Sequence, residues 1–499
     1  MTTGRTHANF GDLLLAVGDP THVAIVDGPQ RYDYAALRSA VATLVAELQT
    51  LALPSGSRIG IIGPNSFFWV AAYIAAIKVG VAVPFSDRST LDDLSAQAGF
   101  VDCSAVLMDR RTRRRFGTAF AMPVISDDAL THSGAPLDES DAPTSDTDAT
   151  LMFTSGTTAI PKAVRVTHGN LRANTASIVS YLGLRSSDRV LVILPFHYCF
   201  GASLLHTHLA VGGTVVLCNT FTFPQTAVDL IERENCTVFA GVPSSFQLLI
   251  RASTFGSRPS PSLRIVQQAG GRLAPQQITE LATAQSHSDF YVMYGQTEAT
   301  SRLSYLPPAL LRDKLGSIGR GIPGVTLRVV DDSGAAVVPG ATGEIIASGD
   351  NISPGYYRDP AATLEKFPGG ALRTGDLATV DEDGYIYIVG RRADFIKSWG
   401  HRVSPQQIEE ALAGHPGVLD AAVVGLPDPD AGEAIVLVIV PVDAQRPPEP
   451  AEVIGHLRDR IPKHMVPKEV RFMDAMPLNA NGKVSRADVR ALLQADADR

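Results

Sequence analysis

The chain has 499 residues, 45% of them hydrophobic and 19% charged, with a formal net charge of −8 at pH 7. That length exceeds what one compact core supports, so two or more domains are expected. The acidic balance argues against a nucleic-acid binder, whose charge excess is usually basic, and the composition is that of an ordinary globular protein.

The opening residues, MTTGRTHANF, carry no apolar signal core, and the longest apolar run, from Trp69, stops at Lys78, too short to span a bilayer. The cysteines at 103, 199, 218 and 236 show neither CxxC spacing nor a metal-ligand pattern and read as reduced thiols. A soluble, cytoplasmic, multidomain protein without membrane insertion is the expectation. The run RRTRRR from Arg110 is the most basic stretch and reads as a solvated surface loop. SGAPLDESDAPTSDTDA, from Ser133, is polar and acidic and reads as a linker or long loop.

Residues 154–168, TSGTTAIPKAVRVTH, follow the apolar Leu151, Met152 and Phe153. Four hydroxyl side chains (Thr154, Ser155, Thr157, Thr158), Gly156 and Lys162 stand close together. Amides and hydroxyls in a tight turn offer many donors with little bulk, which suits phosphate oxygens, and Lys162 adds a full charge. The common phosphate loop GxxxxGK[ST] is absent, because no glycine precedes the lysine and no Ser or Thr follows it.

Further along, strand-like runs begin at Val190 (VLVIL), Thr214 (TVVLC), Thr237 (TVFA), Arg264 (RIVQQ) and Phe290 (FYVMY). Helical periodicity from Phe223 and from Ala274 separates some of them. That alternation predicts a mostly parallel sheet covered by helices, with ligands bound where strands end. Two loops lie there: GGRL from Gly270 and YGQTEAT from Tyr294. After about residue 325 short β-runs with glycine turns take over. Beyond a boundary near Arg392 a small α+β pattern follows: a helix from Gln406, strands AAVVGL and IVLVIV, a helix from Ala451 and a strand near Arg471.

TSGTTAIPKAVRVTH is similar to the phosphate-loop signature of the adenylate-forming superfamily, which includes acyl- and aryl-CoA synthetases, peptide-synthetase adenylation domains and firefly-type luciferases. GSRIGIIGPNS, AAIKVGVAVPF, LPFHYCFG, AGGRL, YGQTEAT, GEI, RTGD, DGYIYIVGR and NGKVSR resemble further family motifs in the family's order, over nearly the whole chain. The resemblance implies an α/β fold: a large N-terminal domain (1–391) with mixed, mostly parallel sheets and a β-rich subdomain, and a small mobile α+β C-terminal domain (392–499). It implies an ATP-dependent, acyl-CoA-synthetase-like activity with Mg2+ and coenzyme A, acting on a small carboxylic acid through an acyl-AMP. A carrier protein as thiol acceptor, a relative that only makes thioester from supplied acyl-AMP, and a non-catalytic nucleotide- or acyl-binding relative stay open.

By the same resemblance, Thr154, Ser155, Gly156, Thr157, Thr158 and Lys162 would hold the β- and γ-phosphates. Glu298 would hold magnesium and Thr297 would touch the α-phosphate, with Gly295 and Gln296 in the same loop. Tyr294 would face adenine, with Gly270, Gly271 and Arg272 on its other side. Asp376 would accept the ribose hydroxyls and Arg391 would support ribose or phosphate. Lys483 would bridge the α-phosphate and the attacking carboxylate. Phe196, Phe200, Gly241 and Val242 would line an apolar acyl pocket, where His197 faces the carboxylate or gates the entrance. An α-amino acid is not expected, since LPFHYCFG has no aspartate for the amino group. Ala393 stands at the hinge, where relatives often carry Asp or Lys. Gly400, Trp399 and Arg402 would lie on the thiol side, Gly400 letting a pantetheine arm pass and Trp399 lining the tunnel or packing between domains. Ala159 and Ala163 stand where the pattern usually has glycine. A methyl group there disfavours positive φ, so the loop is expected to be stiffer, with impaired ATP use as the alternative.

Overall fold

A computed structural model of the chain describes residues 8–117, 120–131, 143–154, 162–392, 394–412, 415–478 and 484–497. Two large sheets face each other across a shared interior. In the nine-stranded sheet, the six central strands Val23–Asp27, Thr214–Leu217, Arg189–Val192, Val238–Gly241, Ile265–Gln268 and Asp289–Tyr294 run parallel. Gln30–Asp33 flanks one edge, and Ser304–Leu306 with Arg320–Gly321 the other, all antiparallel. Parallel strands are buried on both faces and read as unbroken apolar runs, which is why all five strands expected between 190 and 294 are found in this sheet. The seven-stranded sheet is mixed and contains Asp148–Phe153 paired antiparallel with Ala163–Thr167.

Two helices fill the space between these sheets. Phe67–Val79 buries eleven of its thirteen residues, and Cys199–Ala210 is almost wholly buried as well. A helix apolar all round belongs in an interior, and this accounts for the long apolar run at Trp69. The helices on the outer face of the first sheet, Pro224–Arg233, Pro243–Ala252 and Pro275–Ala284, are amphipathic, and each starts on a proline whose missing N–H is not needed there.

A four-stranded antiparallel sheet follows, ordered Val325–Val330, Gly343–Gly349, Leu372–Val380 and Ile386–Arg391. The last sheet is separate. Its strands are Ile396–Ser398, His401–Val403, Val418–Asp428, Gly432–Pro441 and Glu469–Phe472, and helices Pro405–Leu412, Pro450–Arg458 and Arg486–Ala497 accompany it. The architecture is the α/β fold expected, with a β-rich subdomain and a small α+β C-terminal part.

One expectation is corrected. RRTRRR is not a loop but lies in the helix Arg110–Phe116. Asp109 caps it by accepting from the Thr112 N–H at 2.7 Å, and Thr112 with Phe116, four apart, form its buried side. The charge run hid a two-residue apolar stripe. Of the acidic stretch after it, residues 132–142 lie outside the described residues.

Candidate active site

The phosphate-loop segment closes at its neck. Phe153 pairs with Ala163, and the Thr154 N–H donates to the Lys162 carbonyl at 3.0 Å. Ala163 is therefore the first residue of a strand, with its methyl fully buried and its carbonyl accepting from the Tyr357 N–H at 2.8 Å. Extended backbone imposes no need for glycine, so the alanine at 163 costs nothing. Ser155, Gly156, Thr157, Thr158 and Ala159 lie outside the described residues, as do Ala393 and Lys483.

The YGQTEAT loop is fixed by contacts from far along the chain. Gly295 passes so close to the Ser301 carbonyl that a Cβ would come within 1.8 Å of it, so only glycine fits. Thr300 adopts φ +64°, and its hydroxyl donates to the Asn351 carbonyl at 2.7 Å. The Asn351 amide in turn donates to the carbonyls of Ala299 and Arg302 at 3.2 and 2.8 Å, and the Ser353 N–H to the Glu298 carbonyl at 2.9 Å. Residues 350–353 thus hold in place the short turn that presents Thr297 and Glu298.

Glu298 accepts the Tyr356 hydroxyl at 2.8 Å, and Lys162 Nζ lies 5.0 Å from the centroid of the same tyrosine ring. Lys366 donates to the Thr374 carbonyl at 2.9 Å; burial lowers its affinity for the proton, while Glu298 and Asp376 nearby act the other way. No motif marked Tyr356 or Lys366 in the sequence. Among the described residues no cluster of three His, Cys, Asp or Glu could hold a metal by itself. A single carboxylate at Glu298 fits magnesium, which keeps waters and is completed by substrate phosphate oxygens.

Asp376 is nearly buried and accepts from two sides, the Tyr294 hydroxyl at 2.5 Å and Arg391 Nε at 3.1 Å. The RTGD turn is anchored by Arg373 to Glu344 of GEI at 2.5 Å and by the Thr374 hydroxyl to the Ile345 carbonyl at 2.7 Å. A carboxylate has about four lone-pair directions, so two remain for a pair of ribose hydroxyls. The Asp376 charge holds the Arg391 guanidinium still more firmly protonated, while burial, then Asp376, push the Tyr294 phenol well above its ordinary range. The Gly270–Arg272 loop is tied down by Gln268, whose amide donates to the Gly271 carbonyl at 2.8 Å. Arg272 reaches away from it: the guanidinium pairs with Glu410 at 2.5 Å and donates to the Ile388 carbonyl at 3.2 Å.

Asn65 of GPNS clamps the LPFH loop, where the acid is expected, donating to the Leu194 carbonyl at 2.8 Å and accepting from the Phe196 N–H at 2.9 Å. His197 leaves this clamp with Nε2 buried and without a hydrogen-bond partner. Burial, with Arg88 a lesser contribution, lowers its pKa to about 4, so the ring is neutral at pH 7. Thr297 donates to Cys199 Sγ at 3.5 Å, which brings the YGQTEAT and LPFHYCFG segments together. Phe196 packs against Trp69 at 5.2 Å in the interior, and Phe200 lies beneath Arg302 with the guanidinium 4.1 Å from its centroid. Gly241 and Val242 are buried where their strand ends, and a Cβ on Gly241 would sit 3.1 Å from Phe246. Gln296 Nε2 is buried and unpartnered.

On the C-terminal side, Trp399 and Gly400 form the two-residue turn between Ile396–Ser398 and His401–Val403, with φ +50° and +77°, the positive values that a twisted two-residue hairpin demands. Trp399 is 67% exposed at the tip. Arg402 pairs through its backbone with Lys397.

Residues 16–357 match the family described as AMP-binding enzyme, and residues 407–483 match the AMP-binding enzyme C-terminal domain. The chain belongs to the AMP-binding enzyme family. It is 32% identical over 474 residues to a feruloyl-CoA synthase of Amycolatopsis sp, covering 94% of this chain and 96% of the relative. It is 31% identical over 494 residues to an indoleacetate–CoA ligase of Aromatoleum aromaticum, covering 95% and 96%. The crystal structure of ATP-bound MatB from Rhodopseudomonas palustris superimposes with TM-score 0.90 at 26% identity, over 98% of this chain and 99% of that one. The apo form of MatB gives 0.77 over 98% and 100%. This AMP-binding enzyme therefore has an overall arrangement nearer the ATP-bound form than the apo form. As in ligases of this family, the cosubstrates are ATP, with magnesium, and coenzyme A. No helix among the described residues is long and apolar enough to cross a membrane.

Proposed function

We propose that this enzyme activates a small carboxylic acid as its acyl-AMP and passes the acyl group to coenzyme A, with residues 1–391 carrying the nucleotide and acid sites and 392–499 serving as the moving lid. The observation that carries the assignment of roles is the grouping of Glu298 and Asp376 around Lys366, with Lys162 over Tyr356 beside them. Two fixed carboxylates and two lysines suit a nucleotide triphosphate with its magnesium: Asp376 takes the ribose, Glu298 the metal, and Lys162 the outer phosphates.

The attacking carboxylate is already ionised at neutral pH, so no general base is needed. Catalysis comes from alignment and from neutralising charge on the α-phosphate. Thr297 touches that phosphate, and Lys483 joins it to the carboxylate. His197, neutral and with Nε2 unpaired, can direct a hydrogen bond at the acid without adding a charge. In the second step the thiol of coenzyme A displaces AMP from the acyl carbon. Before that step the lid withdraws Lys483 and brings the hairpin at Trp399, Gly400 and Arg402 to the site, pivoting near Ala393. Coenzyme A is favoured over a carrier protein by the similarity to CoA ligases along nearly the full chain. The enzyme acts in the cytoplasm and does not bind nucleic acid, consistent with its acidic balance.

The deciding experiment incubates the enzyme with magnesium, coenzyme A and a panel of carboxylic acids, with either ATP or synthetic acyl-AMPs, and identifies products by mass spectrometry. Thioester from acid plus ATP is expected. Thioester from acyl-AMP alone would mean that the first half-reaction is lost, and no thioester under either condition would refute the ligase function.

A further inference from the structure

Arg302 lies two residues before the strand Ser304–Leu306, and only 2% of it is exposed. No carboxylate pairs with it among the described residues. Its guanidinium stacks on Phe200 at 4.1 Å, donates to the Ser301 hydroxyl at 3.0 Å and approaches Gln267 Oε1 at 3.4 Å; the Tyr181 hydroxyl is also within its reach. Two donors of this pair, Arg302 Nε and Gln267 Nε2, are buried and have no partner.

The location breaks the local pattern. Gln267 shares a strand face with Ile265, which packs in the apolar interior, as do Ala269 at the end of that strand and Tyr291 and Met293 on the next one. An amide and a guanidinium in this row cost stability unless something compensates them, and breaches of local pattern concentrate at functional positions. The row ends at the C-terminal edge of the parallel strands, where such sheets bind ligands. Phe200 beneath Arg302 is the neighbour of Cys199, which receives the Thr297 hydroxyl, so the uncompensated cation stands one side chain beyond the reacting end of the acid.

We propose that Arg302 and Gln267 form the far end of the acid pocket and select an acid that carries a second carboxylate. This rests on the ligase function above. One carboxylate reacts beside Thr297 and His197; the other accepts from Arg302 and Gln267, its two oxygens matching a guanidinium edge and an amide donor. Both residues are specificity determinants, and neither takes part in bond making.

The test is magnesium-dependent ATP–pyrophosphate exchange with matched acid pairs: adipate against monomethyl adipate, and terephthalate against monomethyl terephthalate. For the pair whose length fits, the diacid should exceed its ester by ~100-fold or more in kcat/KM, the scale of a buried charge pair. Arg302→Met should reduce that preference to about threefold or less, with the larger loss falling on the diacid. Gln267→Leu should cut the preference roughly tenfold. Should Arg302→Met fail to fold, a Tm rise of the wild-type enzyme with diacid but not with ester supports the same point. Exchange with esters equal to or better than diacids overturns the proposal, and so does an equal loss on both members in Arg302→Met. Exchange with no acid of any kind refutes the ligase function itself, and this inference with it.

Discussion

Tyr356 links Glu298 to Lys162: its hydroxyl donates to Glu298 at 2.8 Å while Lys162 lies 5.0 Å from its ring centroid. A hydrogen bond to a carboxylate is worth about 1.5–3 kcal/mol, and here it aims the one carboxylate assigned to magnesium. Tyr356→Phe should raise the magnesium concentration for half-maximal adenylation roughly tenfold. Tyr356→Leu, which also removes the surface under Lys162, should weaken ATP binding further. A magnesium titration of pyrophosphate release checks both, and an unchanged magnesium dependence in Tyr356→Phe would remove Tyr356 from this role.

Asp376 accepts from Tyr294 and Arg391 and, in the proposed function, from the ribose as well. Asp376→Asn keeps the shape but leaves Arg391 without its counter-charge and turns an acceptor into a donor. A loss of ~100-fold in kcat/KM for ATP is expected, as for other broken charge-assisted contacts. Tyr294→Phe frees a lone pair of Asp376 rather than removing the carboxylate, so a change of only several-fold is expected. Equal losses in the two variants would contradict the assignment of the ribose to Asp376.

The role proposed for Lys483 separates the half-reactions most sharply. Lys483→Ala should abolish acyl-AMP formation while largely sparing thioester formation from supplied acyl-AMP. Parallel loss of both steps in quenched-flow assays would refute its assigned role.

Four histidines, three of them buried and His197 half-buried, are held neutral. Burial lowers the pKa of His168, His197 and His208 to about 4 and that of His206 to about 3, from an ordinary 6.5. Because the folded values are depressed, the unfolded chain binds more protons below pH 6.5. Stability is then full above that value and falls as the pH drops through 6.5 towards 4, by about 1.4 kcal/mol per pH unit for each fully titrating site. His206 hydrogen-bonds with Tyr73 at 3.0 Å, away from the proposed chemistry. Urea denaturation at pH 7.5, 6 and 5 should show His206→Gln losing about one proton's worth of that slope. An unchanged slope would place the acid sensitivity elsewhere.

How far the molecule is legible in its sequence depends on whether a signal is local. The parallel strands announce themselves because both faces are buried, and the helix at Trp69 is apolar all round for the same reason. Motif residues such as Asp376 and Glu298 were singled out by their neighbours in sequence. Tyr356, Lys366, Arg302 and the Asn65 clamp were not, because their meaning arises only when segments distant in sequence meet. Ala163 looked like a loop residue with an awkward methyl group, yet pairing with Phe153 makes it the start of a strand. RRTRRR looked like solvated loop, since two buried side chains among five arginines leave almost no periodic signal.

Arg272 was expected beside adenine but reaches the helix Pro405–Leu412, where it meets Glu410 at 2.5 Å. Burial outweighs the attraction of Arg272 and lifts the Glu410 carboxyl to about 7 from an ordinary 4.5. A group whose pKa is raised in one arrangement of the chain takes up a proton on reaching it, so the arrangement that holds the Arg272–Glu410 contact, here termed closed, is favoured as pH falls from 7 towards 4.5 and resisted above 7. The overall arrangement here is nearer that of ATP-bound MatB than of its apo form, and under the proposed function this contact is assigned to the adenylating arrangement. The ratio of adenylation rate to thioester-forming rate should therefore rise as pH is lowered from 8 to 6. Glu410→Gln, neutral at every pH and still able to accept from Arg272, should flatten that dependence and hold the ratio near its low-pH value. Stopped-flow measurement of both half-reactions across that range decides the matter, because a variant that keeps the wild-type pH dependence would show that Glu410 does not control closure.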